Sequence, residues 1–189
     1  GAQTIEARLN GSAVTVTTAS NGDIEIDVGS FPSSSVLHIF DSGTSSGVPT
    51  ISAGLISIAG TPPSVQPGEL RVLIASAGAS WPIDSTTPLD EGLINLGNLS
   101  TGGIQFGSTA LRDTSIVAVA VSGNIAGDID VGRVFRIQAN GVTGSGGSIT
   151  GGEISSNITA HAPDIDLNSN GVFSLGELSI NFIAAGDLF

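Results

Sequence analysis

Ile116-Val117-Ala118-Val119-Ala120-Val121 is the most apolar stretch of the chain. Side chains alternate between the two faces of an extended strand, so Val117, Val119 and Val121 share one side and Ile116, Ala118 and Ala120 the other. Neither side carries a polar group, so this strand requires burial on both faces. The same period of two extends outward along the chain. Ile24-Glu25-Ile26-Asp27-Val28 alternates strictly. So does Leu70-Arg71-Val72-Leu73-Ile74, with Glu69 and Arg71 on the face opposite the aliphatics. Phe135-Arg136-Ile137 and Leu178-Ser179-Ile180-Asn181-Phe182 continue it. Asn10-Gly11, Asn21-Gly22, Asn140-Gly141 and Asn170-Gly171 punctuate the runs, and both residue types tolerate positive φ. No stretch forms an amphipathic helix of three turns. The expected class is all-β.

Composition narrows the function. The 189 residues hold 17 Asp and Glu against 5 basic residues, a formal charge of −12. All five are arginine (Arg8, Arg71, Arg112, Arg133, Arg136), and the chain has no Cys, Met or Tyr. Disulfides, thiol nucleophiles and Cys-based metal sites are excluded. Five scattered Arg on an acidic chain do not neutralise a phosphate backbone, so nucleic acid is not an expected partner. With 40% hydrophobic and 12% charged residues the chain lacks the disordered signature. No run of 18 apolar residues is present, so no membrane-spanning helix is expected. Gly1-Ala2-Gln3-Thr4-Ile5 opens directly on strand-like sequence with no signal peptide in view.

Glycine, 27 of 189 residues, is about twice as frequent as usual. Part of the excess is periodic: Gly29, Gly54, Gly78, Gly103, Gly127, Gly152 and Gly176 follow one another at steps of 25 and 24. Ten glycine pairs stand 49 residues apart, where about 3 are expected by chance on this composition. Three of the series open the same phrase of glycine, acid and aliphatic: Gly127-Asp128-Ile129, Gly152-Glu153-Ile154 and Gly176-Glu177-Leu178. A coil of 24–25 residues is the size of one rung of a parallel β-solenoid, with equivalent positions stacked about 4.8 Å apart. In rung length and turn composition, residues 29–189 resemble right-handed parallel β-helix proteins of the pectin-lyase-like kind and the passenger regions of bacterial adhesins. The resemblance implies an architecture and an extracellular habit and transfers no catalytic residue. Residues 1–28 fit the beat less well and are expected to form an irregular first strand or a cap. Residues 29–189 form the rungs, the last of them incomplete. A β-sandwich is the competing fold, since several short strands with frequent turns also satisfy it.

The sharpest motif is Asp166-Leu167-Asn168-Ser169-Asn170-Gly171 followed by Glu177. Its spacing matches a calcium loop with oxygen ligands at Asp166, Asn168, Asn170 and Glu177. Two features oppose it: Glu177 already has a place as the acid after a repeat glycine, and Leu178, Ile180 and Phe182 alternate as a strand where such a loop needs a helix. In a solenoid, Asp128, Glu153 and Glu177 would form a carboxylate column about 5 Å apart, able to recruit a cation or serve as acid pairs for glycoside chemistry. The plainer reading is a solvated acidic edge that deters sheet association. His38, between Leu37 and Ile39, reads as an outward side chain, and His38 and His161 lack zinc-helix spacing. Gly141 to Gly147 lacks the Lys of a phosphate loop. One Trp, Trp81, and no Tyr leave few flat faces for sugar rings.

The function expected from these residues is a non-enzymatic, secreted or surface-exposed structural or adhesive β-solenoid of bacterial type, self-associating end to end through open coil ends. The alternatives are a polysaccharide-active enzyme on the same scaffold and a calcium-stabilised secreted module. Calcium is the one cofactor and a glycan the one outside partner that the residues bring into question.

Overall fold

The computed structural model describes residues 3–32, 34–43, 49–64, 68–81, 96–139, 142–143, 149–150 and 154–161. Strands dominate them. In chain order these are β1 (Ile5–Leu9), β2 (Ser12–Ala13), β3 (Thr15–Thr18), β4 (Ile24–Ser30), β5 (Ser34–Asp41), β6 (Ile51–Ser52), β7 (Leu55–Thr61), β8 (Glu69–Ile74) and β9 (Leu99–Phe106). One short helix, α1 (Thr109–Asp113), follows; Ser108 caps it by accepting from the Leu111 N–H, and Leu111 is buried beneath it. Then come β10 (Ser115–Val121), β11 (Ile125–Val131), β12 (Arg133–Ala139), β13 (Val142–Thr143), β14 (Ile149–Thr150), β15 (Ile154–Ser155) and β16 (Ile158–Ala160). The chain is all-β, and among the described residues no helix is long and apolar enough to cross a membrane.

Two sheets share the strands. The first runs β12-β10-β8-β5-β1-β2 and the second β15-β11-β9-β7-β4-β3, with β16 beside β11 and β6 beside β9. Both are mixed. From β4 to β12 the chain passes back and forth between them, β6 and β7 together entering the second sheet, and each strand lies parallel to the strand it joins. At the N-terminal edge the direction reverses: β1 lies antiparallel to β5 and β2, and β3 antiparallel to β4. The β3–β4 hairpin turns through Asn21-Gly22, where Gly22 has φ +85°.

Alternation along each strand builds one core between the sheets. Leu37, Ile39, Val72, Ile74, Val117, Val119 and Val121 from the first sheet meet Ile26, Ile56, Ile58, Ile104 and Ile129 from the second. These aliphatics are almost fully buried, which contributes about 1.5–3 kcal/mol per side chain. β10 is buried at every position. Its outer residues Ala118 and Ala120, with Leu73 and Ala75, form a second cluster beneath Ala79, Trp81 and Phe135. Burial on both faces, expected from Ile116–Val121, holds.

The stacking interval corrects the expected 24–25-residue rung. In the second sheet Ile24 faces Ile56, Ile56 faces Ile104, Ile104 faces Ile129 and Ile129 faces Ile158, intervals of 32, 48, 25 and 29 residues. In the first sheet Leu37, Val72, Val117 and Val134 stand in line at intervals of 35, 45 and 17. The ladder fixes only the strands, so the connections between them vary in length without disturbing it. The beat glycines come near one another but one residue out of step: the Gly102 N–H donates to the Gly54 carbonyl, and Gly103 lies opposite Leu55 and Asp128 rather than Gly54 and Gly127. Gly78 has open space around it, in a turn after β8.

Gly127 has a local reason. It holds φ +122° at the break in register between Ala126 and Asp128, and a Cβ there would strike the Thr101 carbonyl. Gly127→Ala is therefore expected to destabilise by about 2 kcal/mol or more, while Gly78→Ala stays within about 0.5 kcal/mol. Urea unfolding of the two variants compares positions that the sequence beat makes equivalent. Equal losses would contradict the register.

Candidate functional site

The described arginines segregate. Arg8 on β1, Arg71 on β8, and Arg133 and Arg136 on β12 all belong to the first sheet, and Arg112 lies on α1. Alternation explains which way Arg8, Arg71 and Arg133 face. Their neighbours Ala7, Leu70, Val72 and Val134 fill the core between the sheets, so these arginines take the outer face. The second sheet carries the opposite sign: Glu25 and Asp27 on β4 and Asp128 and Asp130 on β11 alternate with core isoleucines. Two faces of one molecule thus differ in charge.

Register gathers the first-sheet residues. Arg71 and Arg133 both lie opposite Ile116, so their backbones are two strand spacings, about 10 Å, apart. Glu69 reaches both. Its Oε1 accepts from Arg71 Nε at 2.5 Å and its Oε2 from Arg133 Nη2 at 3.4 Å. These side chains are about one-third exposed, so the ion pairs add little to stability, roughly 0–1 kcal/mol each. Their effect is to hold two guanidiniums in one place. Beside them the Trp81 and Phe135 rings lie 5.0 Å apart at 44°, and the Arg71 guanidinium sits 6.0 Å from the Trp81 ring centre. Both rings rest on Leu73, Ala118 and Ala120, whose small outer surface admits them.

Toward β1 the face continues with Arg8, His38 and Phe40. Arg8 lies opposite His38, and its guanidinium stands 5.0 Å from the Phe40 ring centre, with Glu6 at 3.6 Å. His38 does point to the outer face, but it is half-buried there. Its ring packs 4.8 Å from Phe40, and Nε2 donates to the Ser76 carbonyl at 2.9 Å. Desolvation lowers the imidazole pKa below its ordinary value, and Arg8 adds to this, against the Ser76 and Ala75 carbonyls.

The sequence-derived candidates fall elsewhere. Asp166, Asn168, Asn170 and Glu177 lie outside the described residues, as do Glu153 and the last expected rung. The carboxylate column is corrected at Asp128. Ile129 pairs with Ile158 and Ile154 with Ile125, so the phrases Gly127-Asp128-Ile129 and Gly152-Glu153-Ile154 are out of step by four residues. Two short strands, β15 and β16, face the single strand β11, and Asp128 Oδ1 accepts from Asn157 Nδ2 at 2.8 Å. An amide stands where a second carboxylate was expected. Nearby, His161 Nε2 donates to Asp130 Oδ1 at 2.7 Å. Among the described residues no three His, Asp or Glu side chains converge as a metal site.

The arginine–aromatic face was not singled out in the sequence. Its signal was present as an all-arginine cation set and as arginines alternating with core aliphatics on Leu70–Val72 and Arg133–Ile137. Comparison with protein-family models, curated proteins and solved structures returns no match.

The His38 geometry fixes a sign for acid sensitivity. The unfolded imidazole takes a proton near pH 6.5 and the folded one only at lower pH. The stability contribution is therefore complete above about 6.5 and is lost as pH falls through the folded value. His38→Gln retains a donor for Ser76 without titrating. The expected result is a flatter melting temperature between about pH 7 and pH 5 than in the parent. Parallel curves for the two proteins would contradict it.

Proposed function

We propose that the chain is a non-enzymatic, extracellular β-solenoid with a structural or adhesive role, its coils of unequal length. The observation that carries the fold is the passage of the chain back and forth between the sheets from β4 to β12, with parallel pairing of non-consecutive strands within each sheet. A Greek-key sandwich is built from antiparallel neighbours. Here sequential strands pair with each other only in the short hairpins β1–β2, β3–β4 and β13–β14, among the described residues. On this reading β1–β3 are the cap expected for residues 1–28, and their reversed direction ends both ladders. The cap leaves edge strands of two and four residues, which resist addition of another copy. End-to-end association then uses the opposite edge, β12 and β15–β16.

The adhesive role is favoured over catalysis by where polar chemistry lies. Asp128 is engaged by Asn157 and Asp130 by His161 on one sheet face, while Arg8, Arg71, Arg133 and Trp81 share the other. The test combines location and turnover. Protease treatment of intact source cells is expected to release the chain. The purified protein is expected to yield no new reducing ends or unsaturated products from acidic and neutral polysaccharides. Glycan cleavage abolished by Asp128→Ala would establish the enzymatic alternative instead.

A further inference from the structure

We propose that the outer face of the first sheet binds an acidic polysaccharide segment, Arg71 and Arg133 taking a sugar carboxylate and Trp81 with Phe135 taking the adjoining ring. This rests on the adhesive reading above and names its partner.

The cations come first. Every basic residue in the chain is arginine. A guanidinium is planar and meets a carboxylate through two parallel N–H bonds, which an ammonium does not. Arg71 and Arg133 together carry ten N–H donors, and one carboxylate offers about four acceptor positions. Glu69 alone therefore leaves the pair under-supplied with acceptors, at a point where both side chains are about one-third exposed. Among the described side chains of this face three guanidiniums, Arg8, Arg71 and Arg133, stand against two carboxylates, Glu6 and Glu69.

The remainder of the chain is strongly acidic, but Glu25, Asp27, Asp128 and Asp130 occupy the far side of the second sheet, and Asp41 at the end of β5 is buried and accepts from the Thr4 and Gly43 N–H groups. Sheets pack about 10 Å apart, and the screening length is about 8 Å at physiological salt, so the near face acts on its own charges. A dense polyanion still meets repulsion from the molecule as a whole. A chain alternating acidic and neutral sugars does not present that density. Its neutral ring matches the aromatic pair, which offers an apolar surface next to the guanidiniums.

A second copy of the protein is the rival occupant, since Glu25 and Asp27 on β4 and Asp128 and Asp130 on β11 make the outer face of the second sheet acidic. Two sheets meet face to face about 10 Å apart. Trp81 and Phe135 lie on the outer surface of β8 and β10, within that space, and hold a second sheet away from the arginines.

Trp81 is the single tryptophan, so its fluorescence reports this site alone. The experiment titrates the whole chain with short hyaluronan oligosaccharides, which alternate a uronate with a neutral sugar, and with the same oligosaccharides methyl-esterified. The acidic form is expected to give a saturable Trp81 change that weakens with salt, and the esterified form none. Arg71→Gln with Arg133→Gln is expected to weaken binding about tenfold or more. Glu69→Gln is expected to tighten it severalfold, because both guanidiniums are released, and a gain of affinity does not come from misfolding. Absence of a saturable change, or weaker binding by Glu69→Gln, overturns the site while leaving the extracellular, non-enzymatic reading intact. A glutamate peptide bound as tightly overturns the sugar assignment. A Trp81 change produced by raising protein concentration alone assigns the face to a second copy.

Discussion

β10 needs cover on two sides, and much of the molecule follows from how that need is met. Its valines are closed in by the second sheet, which fixes the layer between Val117, Val119 and Val121 and the isoleucines of β4, β7, β9 and β11. Its other side holds Ile116, Ala118 and Ala120, and here the cover is local: Trp81 from beyond β8 and Phe135 from β12. Alanine at 118 and 120 gives the rings a shallow seat. A strand that cannot tolerate water on either face thereby creates the only place where the described structure sets two large aromatics beside arginines.

Register supplies the other half of that arrangement. Glu69, Arg71 and Arg133 come from strands 64 residues apart at their extremes, and only the parallel ladder through Ile116 makes them neighbours. Between Val117 and Ala118 the β10–β12 register shifts, so that Phe135 stands out of step with the ladder and packs on the outer cluster while Val134 and Ile137 keep their inner places. One irregularity in pairing thus places an aromatic where an ordinary alternation would spend the position on the ladder. The same device recurs in β11, where Gly127 absorbs a shift and lets Asp128 meet Asn157.

The strands themselves were legible, because inner and outer faces differ in polarity at almost every one: Ile24–Val28 and Leu70–Ile74 alternate as read. Burial of Ile116–Val121 on both sides was legible for the same reason. The stacking interval was not. Hydrophobic pattern says which residues face inward but not which strand lies alongside, and connections that take no part in the ladder carry no constraint on length. The glycine beat mixed glycines with different duties: Gly103 lies in the ladder of the second sheet, Gly54 in the bend before β7, Gly127 at a bulge, and Gly78 in an open turn. The arginine–aromatic face was hidden likewise, since no spacing among positions 8, 71, 81, 133 and 135 marks them as neighbours before the register is known.

The register is therefore the central claim, and a crosslink tests it most directly. The chain has no cysteine, so an introduced pair reports without interference. Ser57 and Gln105 are partners on β7 and β9, 48 residues apart, and Gln105 Nε2 donates to Ser57 Oγ at 3.0 Å. Neighbouring strands lie about 4.8 Å apart, within the Cα separation a disulfide spans. Ser57→Cys with Gln105→Cys is expected to close a disulfide on mild oxidation of the native protein, seen as faster migration on a non-reducing gel. Ser57→Cys with Trp81→Cys, one beat of 24 residues apart, is expected to remain reduced. Closure of the second pair and not the first would contradict the parallel ladder described above.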